Sequence, residues 1–327
     1  MQLITIVTLF ASFVASSAYP TFFEWAEINN KVYSSSEEVF TRKQIYDANV
    51  AKISQHNREE HSWSMDVNQF ADLSALEFKN LNAGCLKVKQ STNTNAKLLG
   101  SVFRGIASAL PESVDWEAEG AVTPVKNQGQ CGSCWAFSTV ASTEGAWFIK
   151  HGELVSLSEQ QLVDCSGKEG NQGCNGGLMD YGFQYIIDNK GIGSEESYPY
   201  TAQDGTCKKV PSVVTISGFK DVPTNSETAL MTALVQQPVS VAVEADQDSF
   251  QFYSGGVMTK ACGTNLDHGV LAVGYGTDNS TGLDFWKVKN SWGESWGAKG
   301  YILLGRGAKF GNSGQCGIQM DPSYPNV

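Results

Sequence analysis

At 327 residues the chain exceeds a typical single domain, and with 41% hydrophobic against 17% charged residues it holds enough apolar side chain for a sizeable core, which excludes a disordered or low-complexity protein. A net charge of -11 without any Lys/Arg cluster excludes nucleic acid and anionic membrane as expected partners. Ten acids and ten bases precede Leu110, so the acidic excess, 24 acids against 13 bases, belongs to the later part.

The chain begins with a largely apolar stretch, Leu3 to Val14, ending in the small residues Ala15-Ser16-Ser17-Ala18. It is too short for a spanning helix, which needs roughly 20 apolar residues, and reads as a signal peptide cut near Ala18. Residues 19 to about 80 read as helical, with one apolar stripe at Phe22, Phe23, Trp25 and Ile28 and another at Val39, Phe40, Ile45, Tyr46, Val50 and Ile53. Between about Asn82 and Ser108 the sequence turns to Lys, Ser, Thr and Asn, as expected of an exposed, protease-accessible linker.

From Leu110 the chain is dense in Gly, Trp and Cys. Trp135 to Lys150 is the strongest helix candidate, stopped by Gly152; Ser158–Val163 and Met179–Ile187 are shorter ones. After about Val213 the signal is mainly strand: 239–243, 269–275, 284–289 and 300–304. Helices first and antiparallel strands later predict an α+β body of two lobes with a cleft between them.

Of the eight cysteines (85, 131, 134, 165, 174, 207, 262, 316), seven follow Leu110. An odd count in an exported body predicts at least one free thiol. Cys134 opens the strongest helix, where backbone N–H groups and the dipole favour a thiolate, whereas Cys131 sits in the preceding loop. A thiolate nucleophile needs a base, and after Leu110 the only histidines are His151 and His268. His151 reads as a favourable charge at a helix end; His268, taken alone, reads as a core residue at the start of an apolar strand. If 269–275 and 284–289 form a hairpin centred on Asn279, His268 and Asn290 lie opposite each other. The Asn290 amide then holds one ring nitrogen and turns the other toward Cys134. Gln128, in the turn before Cys134, offers a donor to an oxyanion together with the Cys134 N–H.

The stretch Q-G-Q-C-G-S-C-W, residues 128–135, resembles the papain-like cysteine peptidases, most nearly their cathepsin L branch. Gln128, Cys134, His268 and Asn290 stand in the contexts V-K-N-Q-G, C-G-S-C-W-A-F-S, L-D-H-G-V and K-N-S-W-G. The resemblance implies a papain-like fold, a helical lobe and an antiparallel β-barrel-like lobe preceded by a helical prodomain. The implied divisions are a signal peptide 1–18, an inhibitory propeptide 19–109 and a mature peptidase 110–327. It implies disulfides Cys131–Cys174, Cys165–Cys207 and Cys262–Cys316, leaving Cys134 as the only unpaired thiol in the body after Leu110, and assigns no role to Cys85, which belongs to the precursor segment. Substrate-binding positions carry over as Gly132, Gly176, Gly177, Leu178, Met179, Leu266, Asp267 and Trp292. Asp321 is placed at the floor of the second specificity pocket, where an Arg of the substrate could pair with it.

The upstream segment resembles a cathepsin L-type propeptide: Glu38, Arg42, Tyr46, Asn49, Ile53 and Asn57 share a helical face, and Asn68, Phe70 and Asp72 follow, with Asp66 where Gly is usual. The expected activity is peptide hydrolysis through a thioester by a self-inhibited precursor that matures in acid. Protein and peptide substrates and cystatin-like inhibitors are the implied partners of a monomer, in the lysosome, vacuole or outside the cell. No metal or organic cofactor is implied. Asn279-Ser280-Thr281 is a glycosylation triplet at the hairpin tip. Two rivals are an inert, binding-only family member and a redox or zinc protein built on the Cys131/Cys134 C-x-x-C.

Overall fold

The computed structural model describes residues 19–82, 85–86, 101–102 and 109–327. The proposed signal peptide and most of the linker lie outside the described residues.

The upstream segment carries α1 (Phe22–Ile28), α2 (Ser36–Arg58), the short strand β1 (Trp63–Met65) and α3 (Ala75–Asn82). The helix α1 is started by a capping box, in which the Thr21 side chain accepts from the Glu24 N–H and the Glu24 carboxylate accepts from the Thr21 N–H. The helix α2 starts at Ser35, whose hydroxyl caps the Glu38 N–H. The face carrying Tyr46, Asn49 and Ile53 is the buried one. Phe22, Trp25, Tyr46 and Ala71 make a small core of their own. The two apolar stripes are narrower than expected: Phe23, Ile28 and Phe40 remain 63%, 72% and 62% exposed. The seven-residue α1 turns Phe22 and Trp25 onto α2 and the 67–71 segment, which leaves Phe23 and Ile28 on its outer side.

Downstream come β2 (Ser101–Val102), β3 (Val114–Asp115), α4 (Cys134–His151), α5 (Glu159–Cys165), α6 (Met179–Asp188), β4 (Gly218–Asp221), α7 (Glu227–Leu234), β5 (Val239–Val243), α8 (Asp248–Gln251), β6 (Tyr253–Met258), β7 (His268–Thr277), β8 (Asp284–Lys289), β9 (Tyr301–Gly305) and β10 (Ser323–Asn326). This is the expected α+β architecture. Gly152, at φ 74°, ends α4 in the left-handed cap that glycine adopts without penalty. The strands form one sheet in the order β1-β6-β9-β8-β7-β5-β10-β4-β2, with β3 beside β7. Most pairs are antiparallel, while β6–β9 and β2–β4 are parallel.

Two large cores divide the body, beside a smaller cluster of Leu271, Val273 and Tyr301. One, beneath the sheet, gathers Val241, Phe250, Trp286, Trp292 and Ile302, and takes in Ile53, Trp63, Met65 and Phe78 from the upstream segment. The other surrounds α4 and α6 with Trp135, Val140, Leu162, Met179, Phe183 and Ile186. The upstream segment is therefore packed into the sheet lobe, with β1 extending the sheet antiparallel to β6.

The hairpin register differs from the expected one. Thr277 faces Asp284 and Tyr275 faces Trp286, and past an irregularity between Ala272 and Gly274, Leu271 faces Lys289. Continuing that register puts Val270 opposite Asn290, and His268 one diagonal step away on the same face. A turn spanning 278–283 and the bulge displace the centre that the loop's midpoint suggested.

Candidate active site

Cys134 is the first residue of α4 and His268 the first of β7, so the two lobes each deliver one side chain to their junction. The junction is held by polar ties: the Ser138 hydroxyl donates to the Val270 carbonyl at 2.7 Å, and the Ser240 hydroxyl donates to the Ser138 carbonyl at 3.0 Å. A glycine at 269 lets α4 approach β7, since a Cβ there would lie 3.4 Å from the Cys134 carbonyl oxygen and 3.2 Å from the Met179 sulfur. The Gly269 N–H donates to Cys134 Sγ at 3.1 Å. No side chain caps the start of α4, because the Ser133 hydroxyl bonds Tyr200 at 2.6 Å instead. The positive end of the helix therefore faces the sulfur.

His268 is fully buried, stacked on Trp292 at 4.7 Å between ring centroids. Its Nε2 lies 2.7 Å from Asn290 Oδ1, so Nε2 carries the proton and Nδ1 is left for the sulfurs. Burial pushes the imidazole down to about 4 despite the Asn290 hydrogen bond, which acts in the other direction. Gln128 is buried beside the same corner. The Ser291 hydroxyl donates to its Oε1 at 2.7 Å, its Nε2 donates to the Cys131 carbonyl at 3.1 Å, and Tyr200 donates to its backbone carbonyl at 2.8 Å. Ser291 and Tyr200 were not singled out from the sequence, where each is an ordinary polar residue.

One expectation is corrected. Cys134 is not an unpaired thiol in the full chain, because its sulfur is bonded to that of Cys85. The other bonds join Cys131 to Cys174, Cys165 to Cys207 and Cys262 to Cys316. Among residues 110–327 alone Cys134 has no cysteine partner; the whole chain has eight cysteines, an even number, and all are paired. Cys131 is committed to Cys174, so the C-x-x-C is not a dithiol pair. The Sγ atoms of Cys85 and Cys134 and a ring nitrogen of His268 lie within 4.8 Å of one another, a possible ligand set by distance alone. With the two sulfurs bonded to each other, neither is the thiolate that a metal requires.

The upstream segment runs through the junction along the residues expected to bind substrate. Phe70 and Phe78 meet the Trp292 ring edge-on at 5.7 and 5.3 Å, and Gln69 donates to the Trp292 carbonyl at 2.6 Å. Cys85 then donates its N–H to the Asp267 carbonyl at 3.0 Å and accepts from the Gly177 N–H at 3.0 Å, and Leu86 forms a parallel bridge with Gly177. A Cβ at 177 would fall 2.2 Å from Asn171 Oδ1 and 2.8 Å from the Trp135 ring, so only glycine presents its backbone here. Leu86 is buried in the apolar cluster of Met179, with Leu266 packed against it. Gly132 donates to the Cys174 carbonyl at 2.9 Å, close to the Cys85 Cβ. Gly176 and Leu178 flank Gly177 on the same turn. Asp321 is half-buried near Asp180 and Asp221, and burial with the Asp221 charge pushes it up to about 6. Asn279 is exposed in the turn between β7 and β8.

Residues 110–326 match the family described as papain family cysteine protease, and residues 22–78 match the cathepsin propeptide inhibitor domain. Among curated relatives, the probable cysteine protease RD21B of Arabidopsis thaliana is 50% identical over 87% of this chain, which spans 60% of that protein's length. Senescence-specific cysteine protease SAG39 of Oryza sativa subsp. japonica is 46% identical over 93% of this chain and 88% of its own. Among solved structures, a recombinant stem bromelain precursor superposes with a TM-score of 0.86 at 42% identity, over 94% of this chain and 97% of that one.

Proposed function

Because the chain belongs to the papain family of cysteine peptidases, on its cathepsin L-like branch, and is a cysteine endopeptidase built as a zymogen with its own inhibitory propeptide, we propose that Cys134 is its nucleophile and His268 its base. The observation that carries this is the 2.7 Å contact between His268 Nε2 and Asn290 Oδ1, which leaves Nδ1 free for sulfur where Cys134 Sγ, at the start of α4, lies within 4.8 Å of a ring nitrogen. Once free, the Cys134 thiolate attacks the scissile carbonyl, imidazolium at His268 protonates the leaving amine, and water then hydrolyses the thioester with His268 as base. Asn290 orients the ring, and Gln128 with the Cys134 N–H holds the oxyanion.

Cys85 also approaches His268, with its Sγ 3.5 Å from Nδ1. It precedes the peptidase match and belongs to the segment that blocks the cleft, so it is assigned no part in the chemistry. Cys134→Ala and Cys85→Ala, each assayed after maturation with reductant, separate the two. The expected result is loss of activity by at least about a thousandfold in the first alone; loss in the second alone overturns the assignment.

The substrates are proteins and peptides bound along Gly132, Gly176, Gly177, Leu266, Asp267 and Trp292, with Leu178 and Met179 as apolar walls. Leu86 supports this reading, since a leucine already lies against Met179 and Gly177. Asp321 closes the pocket and adds acceptance of Arg, which grows as pH rises through about 6 and the carboxylate ionises. Comparing Arg with Leu substrates in Asp321→Ala tests it: an unchanged ratio means that the carboxylate does not reach the substrate. The secretory pathway is the destination that the relatives support. Within it we assign the enzyme to the lysosome or vacuole or to the outside, as a monomer inhibited by cystatin-like proteins and matured near Leu110, with residues 1–18 removed and 19–109 as propeptide. Asn279 is available for a glycan, and a peptide map of the protein secreted by a eukaryotic host reads its occupancy.

A further inference from the structure

We propose that the zymogen is latched covalently, and that release of its activity requires a thiol reductant which attacks Cys85 and expels Cys134 as a thiolate. The inference rests on Cys134 being the nucleophile. The Cys85–Cys134 bond joins the blocking segment to the residue that has to react, across 49 positions of chain. Such a bond does two things that packing cannot. It removes the nucleophile chemically, and it keeps the blocking segment attached after the linker has been cut. Peptide-bond cleavage between residue 86 and Leu110 therefore leaves this enzyme inactive and still tethered.

The bond is out of reach in the closed state, since Cys85 is 3% exposed, and Cys134 and His268 are fully buried. Exchange thus needs prior opening of the segment, followed by thiolate attack. The opening is within reach of local fluctuation: Cys85 and Leu86 are held by three backbone hydrogen bonds, and the neighbouring Lys79–Asp246 pair is solvent-facing on the lysine side.

The two sulfurs are not equivalent toward a thiolate. Cys134 lies at the uncapped start of α4 and accepts from the Gly269 N–H, so it is the better leaving group. Cys85 is not at a helix start, and its sulfur lies against the Asp267 carbonyl and a His268 ring that burial keeps neutral in the closed state. A thiolate RS⁻ therefore forms a bond to Cys85 sulfur while the Cys85–Cys134 bond breaks, and the electron pair leaves on Cys134. A second RS⁻ takes RS from Cys85, giving RSSR and two reduced cysteines. The co-reactant is a small thiol or a dithiol protein, oxidised by two electrons overall. Only the first step is needed for activity, and the mixed disulfide departs with the blocking segment.

The test uses the full precursor, purified without thiols under anaerobic conditions. Peptide mapping without reduction is expected to show one fragment joining Cys85 to Cys134. Acid alone is expected to leave the wild type inactive, with no thiol labelled by iodoacetamide. Acid after limiting glutathione is expected to yield activity, labelling of Cys134 and glutathione found on Cys85. Cys85→Ser and Cys85→Ala, carried in parallel, are expected to mature in acid without reductant. Equal activation of wild type by acid alone overturns the latch, and glutathione found on Cys134 overturns the direction of attack. Cys134→Ala tests the nucleophile separately: if it retains activity, the catalytic assignment fails, and the latch fails with it. If Cys134→Ala is inert while wild type needs no reductant, only the latch fails.

Discussion

The Lys126 ion pairs at the centre of the peptidase body and the pairs that fasten the propeptide to it sit in different media. In the body, Lys126 bridges Glu144 at 3.2 Å and Glu159 at 2.7 Å, carboxylates that are each 1% exposed. Across the propeptide seam, Lys52 meets Asp248 and Lys79 meets Asp246 with the lysines 43% and 55% exposed. Buried charges must be kept in company because leaving one alone costs several kcal/mol, whereas exposed pairs form and part cheaply. The body is thus built to stay assembled and the propeptide to be shed.

The largest break of that comparison is Lys126→Met. It leaves two buried carboxyls, which share the cluster with the Leu157 N–H and the Thr123 hydroxyl, without their cation; burial already pushes Glu159 up to about 8, so protonation relieves part of the loss and the expected cost is about 3 kcal/mol of body stability. Thermal unfolding of the precursor carrying Cys134→Ala measures it. A loss below about 1 kcal/mol would put the cluster with the surface pairs.

Next comes the apolar seam. Ile53 on α2 is fully buried in the sheet-lobe core, and Ile53→Ala is expected to cost about 2–4 kcal/mol. That cost falls on docking of the propeptide, since the body keeps its own core. The expected outcome is earlier activation once reductant is present, with unchanged turnover by the mature enzyme. Reduced turnover would mean that the propeptide templates the body.

How much of this was legible follows the same division. Helices α4, α5 and α6 and strands β5, β7 and β8 were read to within a few residues because their apolar periods face a large core. Strand β1 was missed: three residues, Trp63-Ser64-Met65, carry no period, and they are a strand only because β6 offers an edge. The pairing of His268 with Asn290 was legible, but the register that delivers it was not, because a glycine such as Gly274 inside a strand marks a possible bulge without saying how far it shifts the pairing. Cys85 was visible as a residue but not as a partner. Its meaning depends on the segment crossing the cleft at Gly177 and Asp267, a contact between residues far apart in the chain.

A smaller effect concerns pH. Asp180 and Asp267 are pushed up to about 7 and Asp321 to about 6, each by burial first and neighbouring carboxylates after. Folded carboxyls with raised values hold protons that the unfolded chain releases, so their contribution favours the folded state as pH falls through 7 to 6 and levels off near the ordinary carboxylate value of about 4. All three are half-buried, and water trims the effect. The melting temperature of the mature Cys134→Ala body is expected to rise between neutral pH and about 5 by a few degrees, and the rise is expected to shrink in Asp180→Asn. A falling melting temperature over that window would show that other groups outweigh these three.

The smallest effect is the salt sensitivity of the seam. Lys52 Nζ and Asp248 Oδ2 are 2.8 Å apart and Lys79 Nζ and Asp246 Oδ2 2.5 Å, close enough for attraction, yet with such exposed lysines each is worth no more than about 1 kcal/mol. Asp246 is the more enclosed carboxylate, at 12% against 29% exposed for Asp248, so Lys79→Ala is expected to weaken docking more than Lys52→Ala. Salt screens both over about 8–10 Å, whereas the Lys126 cluster lies beneath the surface. With reductant present, the rate of propeptide release from wild type is therefore expected to rise with ionic strength by a factor of a few. The double variant Lys52→Ala/Lys79→Ala is expected to start faster and respond little, while body stability changes little with salt in either. Undiminished salt acceleration in the double variant would mean that the seam is held by charges other than these two pairs, and that exposure alone does not sort the detachable contacts from the permanent ones.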